Sequence, residues 1–246
     1  MNAGPDQTTD RRANVTLTAT ISSTTSVSPM YRWTLVSGPD VTTAAGNVRE
    51  LEGRTPSFTV PDDVATLTWE VEATADGIVQ TDRVRVQVFN DRNKRAVFVG
   101  ATTSASPDGT QGNPYAGLAE ALPFVDAGDD VYVMTQSMPY QISNTFVVPT
   151  GSSVFGGYDS EWVRNVTAAP TPVQLTARNS MQPVLRTNAH SAATYISGLA
   201  IVANNGTTDA GVSTLGMLID GGNAAGPVHI VDNIVTAANE IGRAHV

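Results

Sequence analysis

The chain has 246 residues, of which 41% are apolar and only 15% charged, with a net charge of −9 and no cysteine. That length holds one large domain or two ordinary ones, since domains run to about 100–200 residues. The negative charge argues against attraction to nucleic acid or an anionic membrane surface, and the lack of cysteine excludes zinc ribbons, disulfide scaffolds and thiol chemistry.

The charged fraction lies below the usual share of about 25%. The polar remainder is Thr, Ser, Asn and Gly, the vocabulary of short strands joined by tight turns, and it points to an all-β fold. Lys94 is the single lysine among 14 basic residues, a bias that reads as genomic base composition. No apolar run approaches the roughly 18 residues that span a bilayer, so no membrane insertion is expected. The opening MNAGPDQ lacks the charged and apolar regions of a signal peptide.

Residues 1–90 alternate strand patterns with turn signals, as an antiparallel sandwich does. NVTLTATI places Val15, Leu17, Ala19 and Ile21 on one face, and MYRWTLVSGP carries Trp33 and Leu35 into a Ser-Gly-Pro turn. SFTV (Ser57–Val60) precedes Pro-Asp-Asp. TLTWEVEATAD then alternates Leu67, Trp69, Val71 and Ala73 inward, Asp76-Gly77 signals a hairpin, and DRVRVQVF continues with Val84, Val86 and Val88. AGPDQ, YRWTLVSGP, TPSFTVPD and LTWEVEATADGIVQTDRVRVQV resemble, in that order, the PKD and related Ig-like modules of bacterial surface proteins. The resemblance implies a spacer, or a carbohydrate- or protein-binding module, and brings no catalytic residues. Asp62 and Asp63 raise the possibility of calcium, but adjacent acids in a turn read first as solvated turn residues.

NDRNKR (Asn90–Arg95) breaks the periodicity, and residues 91–95 read as a linker. After it come the strand AVFVG and the loop SPDGTQGNP. YAGLAEALPFV (Tyr115–Val125) then has Leu118, Ala121, Leu122 and Val125 at helical spacing, with Pro123 near its end. VYVM, TFVV and SSVFGGY follow, and they read as the three strands of one complete coil. QLTA, PVLRT, TYISGLAIVANN, GMLIDGG and VHIVDNIVTAAN continue the pattern. Ile196, Leu199 and Ile201 recur 34 residues later as Ile230, Asn233 and Val235, the mark of a solenoid in which polar residues such as Asn233 ladder at the turns. Tight hairpin signals are scarce, Asn205-Gly206 being the exception. SPDGTQGNPYAGLAEAL, GDDVYVM, GSSVFGGYDSEWVRN and ISGLAIV resemble the N-terminal cap and first coils of right-handed parallel β-helix proteins found on bacterial surfaces and in secreted polysaccharide-acting enzymes. The expected organisation is an Ig-like (PKD-like) β-sandwich over residues 1–90, followed by a right-handed parallel β-helix with an N-terminal cap helix over residues 96–239.

The final EIGRAHV (Glu240–Val246) is what GAG ATC GGA AGA GCA CAC GTC encodes, the start of a widely used sequencing adapter. Residues 240–246 are therefore expected to be an artefact, with further coils and the true start lost by truncation. Any other codons at those positions exclude this.

Chemistry is sparse. The acids of the second half, Asp108, Glu120, Asp126, Asp129, Asp130, Asp159, Glu161, Asp209, Asp220 and Asp232, are scattered. Asp129-Asp130 read as turn residues, and Asp220 with Asp232 is the one carboxylate pair weighed for catalysis. His190 and His229 stand at no triad spacing, so no catalytic residue, cofactor or metal ligand is assigned. Tyr158 and Trp162 are aromatics on which a sugar could stack, although packing beneath the cap is the first reading. Arg164 is expected to pair with Asp159 or Glu161. The triplets at Asn14, Asn165 and Asn205 fit the glycosylation pattern but are expected by chance in a Thr-rich chain. The resemblances imply an extracellular or cell-surface protein, its signal peptide lost, that acts as a non-enzymatic stalk, adhesion or glycan-binding module with a glycan or surface protein as partner. The alternative is the N-terminal part of a polysaccharide lyase or glycoside hydrolase whose catalytic coils lie beyond the sequence.

Overall fold

The computed structural model describes residues 1–22, 28–142, 144–164, 166, 173–177, 183–188, 192–203, 215–220 and 226–236, with backbone alone for 173–177. The protein is all-β: among these residues one four-residue helix and one 3-10 turn interrupt the strands. His190, Asp209, Asn165, Asn205-Gly206 and the terminal 240–246 lie outside the described residues. No helix among the described residues is long and apolar enough to cross a membrane. The chain divides into two units, Met1–Arg92 and Asn93–Val246.

The first unit carries β1 (Gln7–Asp10), β2 (Asn14–Thr16), β3 (Met30–Ser37), β4 (Val41–Thr43) and β5 (Gly46–Val48). It continues with β6 (Glu50–Glu52), β7 (Ser57–Thr59), β8 (Ala65–Ala75) and β9 (Ile78–Phe89). One sheet has the order β1-β9-β8-β3-β6 and the other β2-β7-β4-β5. Period-2 alternation places Leu67, Trp69, Val71 and Ala73 of β8, with Val84, Val86 and Val88 of β9, in the interior. Trp33 is buried beside them and donates its indole N–H to the Gly53 carbonyl at 3.0 Å. Phe58 of the second sheet meets Trp69 at 5.1 Å between ring centroids, so both sheets share one core. Asp76 and Gly77, at φ 50° and 76°, form the two-residue turn that joins β8 to β9, a geometry in which Asp and Gly are favoured.

Two details depart from expectation. β1 runs parallel to β9, so the unit is not purely antiparallel. The stretch from Asn14 to Ile21 forms a strand only to Thr16, although the Leu17 and Ala19 amides still bond the Pro56 and Arg54 carbonyls at 3.0 Å. Asp62 pairs with Arg11 and Arg12, and Asp63 accepts from the Val64 amide. Both acids serve the turn.

The second unit begins with β10 (Ala96–Val99), helix α1 (Leu118–Ala121) and the 3-10 turn Leu122–Phe124. The helix expected over Tyr115–Val125 is thus confined to four residues. Gly117 is still extended, and Pro123, lacking an N–H, sits in the 3-10 turn. Leu118 and Ala121 nevertheless enter the core as their spacing requires. The strands then follow as β11 (Asp130–Met134), β12 (Tyr140–Ile142), β13 (Phe146–Val148), β14 (Ser153–Tyr158), β15 (Val173–Ala177) and β16 (Leu185–Thr187). The last five are β17 (Thr194–Ser197), β18 (Leu199–Val202), β19 (Met217–Ile219), β20 (Val228–Val231) and β21 (Ile234–Thr236).

These strands build three sheets, β10-β11-β14-β17-β20, β12-β15-β18-β21 and β13-β16-β19, and every pairing among them is parallel. From β11 onward the chain therefore visits each sheet once per circuit. VYVM and SSVF are not two strands of one circuit, as the sequence suggested, but pair directly as neighbours in one sheet. The second strand of the first circuit is YQI, whose middle residue is polar and exposed. The 34-residue recurrence is the pairing register itself: Ile196 lies opposite Ile230 and Ile201 opposite Val235.

Val97, Val131, Val154 and Ile196 form an inward column buried with Ile142, Phe146, Leu185 and Ile201. In the last described circuit Ile230 is 48% exposed, where Ile196 in the circuit before is 0%. Corners are braced by side chains. Asn233 donates from Nδ2 to the Ile196 carbonyl at 2.7 Å and accepts the Leu199 amide at 3.0 Å. Lys94 and Arg95, expected as linker, belong to the second unit. Arg95 binds the Asp129 carboxylate and the Phe124 carbonyl, while Lys94 donates to the Gly151 carbonyl at 2.8 Å and lies 3.5 Å from buried Asp130.

Replacing Asn233 with Ala strands two backbone groups in a corner, which costs about 1–3 kcal/mol. The expected outcome in denaturant titration is a loss of that size, with faster hydrogen exchange at the Leu199 amide.

Candidate binding cleft at the Gly-Gly corner

β14 pairs with β11 as Val131 to Val154 and Tyr132 to Phe155, and then shifts to Met134 with Tyr158. One extra residue on β14 makes a bulge at Gly156-Gly157. Gly157 takes φ +87°. Gly156 is required for space: a Cβ there would stand 2.3 Å from the Gly198 carbonyl oxygen of the next circuit. Beyond the bulge the chain folds back, with Tyr158 bridged to Arg164. Asp159 organises this turn by accepting the Glu161 and Val163 amides on Oδ1 at 2.9 and 2.8 Å, while its carbonyl takes the Trp162 amide at 3.1 Å. Trp162 itself adopts a left-handed φ of 59°.

The rings of Phe98, Tyr132, Phe155, Tyr195 and His229 stack rung over rung on this sheet, with successive centroids 5.3, 5.6, 6.5 and 4.5 Å apart. Trp162 meets Phe98 edge-on at 4.8 Å, Tyr158 meets Tyr132 edge-on at 5.8 Å, and the Arg164 guanidinium lies 6.0 Å over Phe155. Trp162 also donates its indole N–H to the Gln111 carbonyl, which ties the turn to the SPDGTQGNP loop. Tyr158 is therefore 2% and Trp162 7% exposed. Both rings belong to the packing, and neither offers a face on which a sugar could stack in this structure. Arg164 is buried and reaches the next circuit, donating to the Gly156 carbonyl at 3.0 Å and the Ser197 hydroxyl at 2.6 Å.

Beside the corner lies an open cleft of about 480 Å³, lined by Ala101, Met134–Ser137, Gly157, Asp159, Ser160 and Val163. These residues lie at or just beyond the ends of three adjacent strands, β10, β11 and β14. The loop from Met134 to Tyr140 is pinned by the Tyr140 hydroxyl, which donates to the Met134 carbonyl at 2.9 Å and accepts from the Gln136 amide at 2.7 Å. Burial raises the Tyr140 phenol above its ordinary value, opposed by the Gln136 hydrogen bond.

The other candidates disperse. Asp220 pairs with Arg186 at 2.8 Å after β19, while Asp232 sits in the turn between β20 and β21, so the two occupy different corners. His229 stacks on Tyr195 with 9° between the planes. No group of three or more His, Asp or Glu that could hold a metal occurs among the described residues. The cleft had no motif in the sequence. Its signals are the paired glycines, which mark a bulge and a close approach, and the Tyr140 strand, whose three residues are too short to show alternation.

Gly156→Ala forces the Gly198 backbone to move, and a loss of about 1–3 kcal/mol is expected in chemical denaturation. Tyr140→Phe removes the pin at a cost of about 0.5–1.5 kcal/mol near neutral pH. Above the ordinary phenol value of 10.0, the unfolded chain releases a proton that folded Tyr140 retains, so stability falls as pH rises past that point. The Phe variant should show a shallower alkaline decline when melting temperature is followed against pH. No family model, curated protein or solved structure matches the chain.

Proposed function

We propose that the first unit is a PKD-like, Ig-like sandwich and the second a right-handed parallel β-helix. On this reading the chain is part of a secreted or surface-anchored bacterial protein, where it serves without catalysis as a stalk that presents a glycan-binding surface. The observation that carries the reading is the in-register column Val97, Val131, Val154 and Ile196 inside three parallel sheets. Each added circuit extends such a column by about 4.8 Å, so the chain gains length and lateral surface while each rung contacts only its neighbours. The right hand follows from the strong preference of parallel crossovers for that hand. The four segments that resemble PKD modules in order support the assignment of the first unit.

The test is a glycan array probed with the labelled chain, run beside an assay for new reducing or unsaturated ends in the same polysaccharides. Retention on a subset of glycans with no new ends is expected. Release of ends would move the assignment to the lyase or hydrolase alternative, and no retention on any glycan would remove the binding role.

A further inference from the structure

The cleft at the ends of β10, β11 and β14 combines three properties that together restrict its ligand. Its volume of about 480 Å³ falls within the range of small-ligand sites. Its walls pair apolar surface from Ala101, Met134 and Val163 with amide, hydroxyl and carboxylate groups from Gln136, Ser137, Asp159 and Ser160. Asp159 contributes the single charge of that lining, which contains no Lys, Arg or His.

We propose that this cleft binds one ring of a neutral, polyhydroxylated ligand, an uncharged glycan residue, and discriminates against anionic saccharides. This rests on the reading of the chain as a glycan-binding module and adds to it a place and a charge class. A sugar ring has C–H faces that suit the apolar wall and hydroxyls that suit amides, hydroxyls and a carboxylate. Asp159 is fixed before any ligand arrives, because two backbone amides already hold its Oδ1. A positioned carboxylate accepts strongly from a hydroxyl, whereas a uronate or sulfated sugar would bring like charge against it. The loop that carries Gln136 is also held in advance, since the Tyr140 hydroxyl bonds both the Gln136 side chain and the Met134 carbonyl, which reduces the ordering cost of binding. Met138, next to Ser137, is 75% exposed and adds apolar surface on the same loop.

The full chain is titrated calorimetrically with neutral hexasaccharides retained on the array and with oligogalacturonate of the same length. The expected result is at least tenfold weaker binding of oligogalacturonate. Ala101 and Ser160 are exposed, so Ala101→Trp and Ser160→Trp fill the cleft without entering the core. Each should weaken the neutral ligand at least tenfold at an unchanged melting temperature. Asp159→Asn keeps an acceptor for the two amides and should narrow the gap between neutral and anionic ligands. Equal or tighter binding of oligogalacturonate overturns the proposal, as does unchanged affinity in both Trp variants. Array retention with unchanged Trp variants refutes this site and leaves the glycan-binding reading standing, whereas no retention at all removes that reading and the site with it.

Discussion

The second unit depends on one requirement: every circuit must return to within hydrogen-bonding distance of the one before it, in register, on three sheets at once. Strand spacing of about 4.8 Å leaves no latitude at the contact points. The inward column is accordingly drawn from Val and Ile, β-branched side chains that fill a fixed volume with little rotamer freedom. Where backbone meets backbone most closely, at Gly156 against Gly198, a side chain is excluded altogether. Where a corner leaves polar groups exposed to the interior, a side chain from the next circuit satisfies them, as Asn233 does for Ile196 and Leu199.

The same requirement explains what could be read from sequence. Trp69 and its neighbours on β8 showed their buried face directly, because an antiparallel strand with one wet side alternates cleanly. In the second unit β11 and β14 are buried on both faces, so the alternation vanishes. The pairings join Val97 to Val131 and Ile196 to Ile230 at 34 residues, but Val131 to Val154 at 23 and Val154 to Ile196 at 42. Only the equal intervals could surface as a repeat. A three-residue strand such as Tyr140–Ile142 carries too little pattern to stand out alone, so the sequence pattern takes SSVF as the third strand of the first circuit where the structure has Phe146–Val148. The helix at Leu118 is shorter than its apolar spacing implies because Gly117 and Pro123 set its length.

The corner at Gly156-Gly157 shows how a structural solution makes a surface. The bulge lies where the next circuit approaches closely enough to exclude a side chain at Gly156, and the turn beyond it is held by Asp159 and packed by Trp162 and Tyr158. The aromatic rings of Tyr158 and Trp162 are buried in the packing behind that turn. The polar residues that carried no motif, Gln136, Ser137 and Ser160, were left facing the opening.

The unequal intervals between paired strands separate two kinds of positional freedom. Rung positions are locked to their neighbours, but the corners absorb differences of nearly twenty residues between one circuit and the next without disturbing the column. Outside the corners that a side chain such as Asn233 braces, insertions and deletions are therefore close to neutral for folding, and selection can lengthen, shorten or exchange them one circuit at a time. Such a chain can diversify its exterior at a rate its interior does not share.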